Sequence, residues 1–520
     1  MNIIIVASLS FLFLLGSCLE KLGKRKKIET SSFEFEGENM KTAREIKVFL
    51  DAELEEKLGF PIELEKAIAI ARTDKNLLVS ARAGSGKTSL IAYKIFHLIK
   101  KENIKPNEIM ILAFNKRASD LIKTKIKQDF GLKDFDNART FHSLAYQLAK
   151  PKKEILFDDK MFEFVEKIIR KLVGDNAGAT FNAQITELAG LFLQFIQKAQ
   201  KNEITFDDIK KLINFSPKMK SFLNLANDIY KNYEAYLVKN NKTDFDHLIK
   251  QAIELIEKTK GECFLNIDKR KVKMNELKYL MIDEFQDFSK LFYHLIQTIR
   301  KYNPDIRLFC VGDNWQAING FAGSDLRYFD NFTKYIDNAG LTSLLTNYRS
   351  KEKIVEASNN FMTGQGEPSR CVLNNNGGEI KIMYVKDKNY LDLCSEIIKD
   401  NPNKSITILH RKNEINGISL FDFYGQLKKL LSEEEIKKIE VSTTHKFKGR
   451  EADIIIILQA IKRLFPLQHP YSALFEIFGE TRENILAEEH RLFYVAITRA
   501  KEKLFILTEK NEEPLYLNRI

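Results

Sequence analysis

Cysteine occurs five times in the chain, at Cys18, Cys263, Cys310, Cys371 and Cys394, and no two form a C-x-x-C pair. That spacing excludes an ordinary zinc or iron–sulfur site and a disulfide-stapled secreted scaffold, and predicts reduced thiols. Proline (10) and glycine (23) are too few among 520 residues for a collagen-like or linker-rich chain. No segment repeats at a fixed period, which argues against a solenoid. Long hydrophobic runs are absent except one, the seventeen uncharged residues from Ile3 to Leu19. Glu20 follows, then Lys21, Lys24, Arg25, Lys26 and Lys27. A secretory signal carries its positive charge before the apolar stretch, not after it. Charge placed after it favours insertion with the C-terminal side inward, although seventeen residues are short for a span. Two expectations stay open. Either residues 1–27 anchor the chain to the inner face of a membrane, with contact through residues 3–19, or the true start is Met40. In both, the rest of the chain is expected in the cytoplasm.

What is present fits a large globular protein. Hydrophobic residues make up 44% and charged residues 29%, enough to bury two to four cores in 520 residues. The net charge of +11 is a mild bias toward a polyanionic partner.

The stretch "SARAGSGKTSLI", Ser80 to Ile91, carries the first chemistry. An apolar run, Asn76 to Ser80, precedes it and predicts a buried parallel strand. Leu90, Ile91, Ile95, Leu98 and Ile99 follow at helical spacing. A glycine turn between strand and helix points backbone N–H groups at phosphate oxygens, and the helix N-terminus adds its positive end. Ala83, Gly84, Ser85, Gly86, Lys87 and Thr88 would form that cradle, with Lys87 on the terminal phosphates and Thr88 on Mg²⁺. Ala81 stands where such loops usually begin with glycine. The competing reading is a helix cap beside a chance lysine.

A second, acidic element supports the nucleotide reading. Leu277 to Ile282 is mostly apolar and runs into "DEFQD". A carboxylate at a strand's C-terminal end sits in the crevice above a parallel sheet. Asp283 is the expected Mg²⁺ partner, and Glu284 the expected base that orients the attacking water.

Six stretches then occur in order: "ARAGSGKT", "DEFQD", "VGDNWQAINGFAGS", "TNYRS", "TTHKFKGRE" and "HRLFYVAITRAK". Together they resemble the motif series of UvrD/Rep-type superfamily-one DNA helicases over roughly Leu64 to Leu507. The resemblance implies an α/β chain with two RecA-like parallel-sheet motor domains and a helical insertion in the first. Mapped on this sequence it places the first motor domain at 61–149 and 263–340, interrupted by an insertion at 150–262. The second motor domain takes 341–520, and 28–60 reads as a charged linker and helical lead-in. Relatives carry a second large helical insertion in the second domain. Here Arg349 and Thr443 are only 94 positions apart, so that insertion is expected to be missing or reduced.

The resemblance also implies roles. Gln316 matches a γ-phosphate sensor, and Arg349 and Arg499 match arginines that reach across a cleft. Tyr348 matches an aromatic that stacks on adenine, and Glu451 an acid near the ribose. Where relatives read adenine with glutamine, Glu65 or Lys66 stands here. Phe114 and Asn115 in "AFNK", Thr140, His142, Phe321 and His445 match positions that touch single-stranded DNA. Trp315, the one tryptophan, has no matched role. The implied function is ATP- and Mg²⁺-dependent movement on single-stranded DNA, 3′ to 5′. Two alternatives remain at this stage: a nucleotide-switched DNA-binding protein, and a helicase subunit that needs a protein partner to unwind.

Overall fold

The computed structural model describes residues 38–520 apart from 59–61, 73, 134, 174–178, 216–219, 268–269, 373–374, 386–388 and 468–471. The candidate anchor, residues 3–19, lies outside the described residues. Among those described, no helix is long and apolar enough to cross a membrane.

Strand Asn76–Ala81 is apolar on both faces, as a central parallel strand must be when helices cover both sides. It lies in a six-stranded sheet. In spatial order the strands are Ala339–Leu344, Asn76–Ala81, Arg307–Gly312, Tyr279–Ile282, Ile109–Ala113 and Ala138–Thr140. Every pairing is parallel, so all six C-terminal ends share one edge. One face is covered by helices Leu64–Ala71, Lys87–Lys100 and Lys116–Asp129. The other is covered by Phe141–Ala149, Phe245–Thr259 and Lys290–Tyr302.

The first lobe runs further than the sequence predicts. Ala339–Leu344 pairs along its whole length with Asn76–Ala81, so the sheet continues past the expected limit at residue 340. The segment "AGLTSL" lacks a continuous apolar run because it is an edge strand, and most of its residues are only half-buried.

A second sheet holds, in order, Glu379–Tyr384, Ala500–Thr508, Ala452–Ile457, Ile406–His410 and Ile439–Thr443, again all parallel. Ile454 to Ile457 are fully buried, which explains four consecutive isoleucines. Between Asn347 and Thr443 the described residues form core strands and helices. A short hairpin at Glu414–Ile415 and Ile418–Ser419 is added, but no second helical subdomain.

Helices Asp158–Val173, Ala179–Lys201, Phe206–Phe215 and Lys220–Lys239 pack around a core of their own. The short strands Glu154–Ile155 and Lys242–Thr243 pair side by side, so this unit leaves and rejoins the first lobe at one place. At that junction His247 lies between the carboxylates of Asp244 (2.8 Å) and Glu234 (2.9 Å). Burial alone would push its pKa down, but the two carboxylates raise it to about 10. Packing also crosses from this unit to the second lobe. Phe475 and Phe478, in a turn of the second lobe, join the helical core, with the Phe478 ring 5.3 Å from Phe195.

Candidate functional site

The glycine turn sits at the C-terminal end of Asn76–Ala81, directly before helix Lys87–Lys100. Gly84 has φ 76°, and a Cβ there would stand 2.6 Å from the Asn347 side chain. Only glycine combines that backbone with that close approach. Inside the turn the Ser85 hydroxyl is buried with no hydrogen-bond partner. An orphaned hydroxyl in a nest of backbone N–H groups is chemistry that a phosphate oxygen completes.

Two strands away, Tyr279–Ile282 ends in the acidic pair. Asp283 is 4% exposed and its Oδ1 accepts the Glu284 N–H at 2.9 Å. Burial, followed by the neighbouring Glu284, raises the Asp283 pKa. Burial acts on Glu284 too, but Lys87 and Lys448 outweigh it and hold that carboxylate well below its usual range. The Lys87 ammonium lies 3.9 Å from Glu284. One acid is thus poised to take a cation, and its neighbour stays ionised near the lysine. Gln286 donates to Glu284 and accepts the Asp313 N–H at 2.9 Å, tying this strand end to the next.

Arg307–Gly312 ends in Asp313, whose carboxylate accepts from Gln316 Nε2 at 2.7 Å. From the second lobe, Arg499 reaches Gln316 Oε1 at 3.3 Å while fully buried. Lys448 bonds Asp287 Oδ2 (2.6 Å) and the Gln316 carbonyl (2.8 Å). On the connection between lobes, Asn347 donates to the Ala83 carbonyl (2.9 Å) and the Tyr348 N–H to Gly84 (2.9 Å). Arg349 pairs with Glu451 at 2.6 Å and donates to the Thr498 carbonyl at 3.1 Å. So Lys87, Asp283, Glu284, Gln316, Arg349 and Arg499 converge on one cleft, as does the loop Ala83–Thr88 with Tyr348 and Glu451. Glu65 does something else: it accepts the Leu345 and Thr346 N–H groups and braces the connection.

Several cleft residues were missed by the sequence reading. Arg82 bonds Asp313 (2.9 Å) and lies 3.8 Å over the Trp315 ring. Trp315 is buried, donates to the Gln365 carbonyl, and meets Tyr494 edge-on. With Lys448 and Asn347 they join the lobes. Lys448 lies within "TTHKFKGRE" and Arg82 within "ARAGSGKT", so their neighbourhood was visible but their partners were not.

The expected nucleic-acid residues fall into two groups. Phe114, Asn115, Thr140 and His142 lie at the adjacent ends of Ile109–Ala113 and Ala138–Thr140, on the same sheet edge as the glycine turn. Asn115 and Thr140 also cap the helices that follow. Phe114 is partly buried against the core. Phe321, 46% exposed, meets His445 edge-on at 5.3 Å across the lobes. Burial lowers the His142 pKa to about 4 and the His445 pKa to about 3, with Lys201 adding to the first and Arg411 and Lys448 to the second. Both rings are therefore neutral at pH 7 and offer hydrogen bonds, not charge.

A phosphate loop on one parallel sheet, faced across a cleft by arginine and lysine from a second, defines a two-lobed P-loop protein. The profile of the UvrD/REP helicase N-terminal domain matches residues 63–337, and that of the UvrD-like helicase C-terminal domain matches 418–511. The first covers more than half of the chain, and the chain belongs to the UvrD/REP helicase family. It is 27% identical over 498 residues to DNA helicase IV of Escherichia coli, covering 86% of this chain and 68% of that protein. It is 25% identical over 469 residues to a probable DNA helicase of Mycoplasma pneumoniae, covering 85% and 82%. It is 26% identical over 345 residues to the ATP-dependent DNA helicase PcrA of Staphylococcus epidermidis. That match spans 65% of this chain but only 45% of PcrA.

Proposed function

We propose that this chain is an ATP-driven motor on single-stranded DNA, moving 3′ to 5′. The observation that carries the reading is Arg499. A buried cation of the second lobe touches Gln316 of the first, beside Glu284 and the phosphate loop. A triphosphate between the lobes would draw them together, and its cleavage would release them. The residues fit such a ligand: the Ser85 hydroxyl lacks a partner, and Thr88 and Asp283 offer the hard oxygen donors that Mg²⁺ takes. Bound Mg²⁺ would supply charge neutralisation on the phosphates. Lys87 would hold the terminal phosphates. Glu284, kept ionised by Lys87 and Lys448, would orient the attacking water. Arg349 and Arg499 would stabilise charge on the transferred group, Tyr348 would stack on the base, and Glu451 would face the ribose.

Opening and closing would be felt along the same edge, where Phe114, Asn115, Thr140 and His142 of one lobe and His445 of the other face the strand, with Phe321 between them. Aromatic faces stack on bases at about 1–3 kcal/mol each without regard to sequence. The stretch between Asn347 and Thr443 holds only a small hairpin in addition to core elements. That favours movement by the chain alone, with strand separation assisted by a partner.

The test is displacement of streptavidin from biotinylated oligonucleotides. ATP should clear a block at the 5′ end and leave one at the 3′ end. Clearing neither end while hydrolysing ATP would overturn the motor reading, and clearing the 3′ end would overturn the direction.

A further inference from the structure

Gln194, Lys198 and Lys201 stand at i, i+4 and i+7 of helix Ala179–Lys201, a spacing that puts them on one face. That face meets the first lobe at the turn Gly320–Ala322. Each side chain takes one carbonyl of the turn. Lys198 donates to Gly320 at 3.0 Å, Gln194 to Phe321 at 3.1 Å and Lys201 to Ala322 at 2.8 Å. Gly323 follows at φ 89°, and a Cβ there would stand 2.9 Å from Lys201 Cδ, so the helix lies directly against the turn. Lys198 is 1% exposed, and an ammonium that deep needs partners. Besides Gly320 it has Glu480 of the second lobe. From the same lobe Glu488 accepts the Phe321 N–H at 3.5 Å, and Arg491 donates to the Ala317 carbonyl at 2.7 Å.

This hydrogen bonding is out of proportion to what the turn buries. Gly320, Phe321 and Ala322 are all at least partly exposed, so holding them adds little to any core. What the turn carries is the Phe321 ring, 46% exposed and set edge-on to His445 of the second lobe. An aromatic on a free loop must be ordered before it can stack on a base, and that ordering takes back much of the gain. A backbone bonded at three successive carbonyls has lost the freedom before the strand arrives.

We propose that Lys198, with Gln194 and Lys201, positions Phe321 for base stacking, so that the helical unit sets the grip of the motor on single-stranded DNA. This role rests on the reading of the Phe321 edge as a DNA track.

Anisotropy of a fluorescent oligothymidylate, read at equilibrium with the β,γ-imido analogue of ATP and Mg²⁺, needs neither turnover nor movement. Lys198→Met keeps the aliphatic stem and removes the donors. It should weaken binding about tenfold, within the range of one lost base stack. Phe321→Ala should weaken binding by a similar factor. Lys198→Met added to Phe321→Ala should cost no more than about twofold further, because residues that act through one contact are not additive. Where Lys198→Met does not fold, Gln194→Ala combined with Lys201→Met, both only half-buried, carries the same expectations. Binding within about twofold of wild type in the helix variant, or losses that add in full to Phe321→Ala, would overturn the proposal and leave the motor reading standing. A Phe321→Ala chain that binds as wild type does would overturn it too. Oligonucleotide binding with the expected losses, but no displacement of streptavidin, would sink the motor and leave this role intact. A wild-type chain that does not bind the oligonucleotide overturns both.

Discussion

Arg499 is among the largest fully buried side chains, and its guanidinium is anchored by its own lobe. Nε donates to the Val495 carbonyl and Nη1 to the Arg450 carbonyl, while Nη2 spans Thr498 Oγ1 and Gln316 Oε1. A cation held this rigidly can report lobe closure at no cost in side-chain reordering. Arg499→Ala should lower DNA-stimulated hydrolysis by about 10³-fold or more, the scale of a catalytic arginine. Nucleotide affinity should change only a few-fold, because the loop and Lys87 belong to the other lobe. Steady-state turnover beside equilibrium binding checks this; turnover within tenfold of wild type refutes the role. Lys87 and Asp283 could be picked out in the sequence because their chemistry demands one residue type at one place beside a strand or helix end, and Arg499 because "HRLFYVAITRAK" resembles a family motif. Lys448 could not, because its role depends on Asp287, a partner 161 positions away.

At the level of elements, periodicity reveals central strands and amphipathic helices but not edges or crossings. Tyr279–Ile282 and Ala452–Ile457 are buried on both faces and read as apolar runs. Ala339–Leu344 is half-exposed at the sheet edge and escapes the pattern. The turn Ser472–Phe478 is a stronger case. Its aromatics look like loose hydrophobics between motifs, yet Phe475 is 4% exposed inside the helical unit. Lys198 of that unit lies 5.2 Å over the Phe475 ring, bonds the Gly320 carbonyl and pairs with Glu480. The turn therefore links the helical unit, the Phe321 loop and the second lobe. Phe475→Ala should remove about 3–5 kcal/mol from this packing, the usual cost of emptying a buried aromatic site. Hydrogen exchange should quicken in helix Ala179–Lys201 and stay unchanged in strand Asn76–Ala81. Unaltered exchange in that helix would show that the turn only rests on the surface.

For the whole molecule, the lobes meet through many polar and charged contacts, beside the apolar packing of Ala83, Trp315 and Ile318 into the core of the second lobe. Such an interface is suited to opening, since its groups can trade partners for water. Trp315 lies in it, between Arg82, the Gln365 carbonyl and Tyr494, and it is the one tryptophan in the chain. Its emission should therefore report lobe closure without a label. A non-hydrolysable triphosphate should shift the emission, the diphosphate should shift it less, and Lys87→Ala should abolish the response. An emission spectrum blind to nucleotide in a chain that binds it would mean that the lobes do not move against each other.

The sequence by itself determined the two parallel sheets, the glycine turn, the acidic strand end and the identities of most cleft residues. The glycine turn and the acidic strand end are written locally, as an apolar run, a helical period or a residue type beside a strand end, whereas the pair of motor sheets and Gln316, Tyr348, Arg349, Glu451 and Arg499 were legible through the resemblance to a family's motif series. Only the tertiary structure decided which lobe the edge strand joins and that a turn of the second lobe completes the core of the helical unit. The first brings together Asn76 and Ala339, 263 positions apart, and the second Phe195 and Phe478, 283 apart, and no local pattern records which distant group will fill a given space.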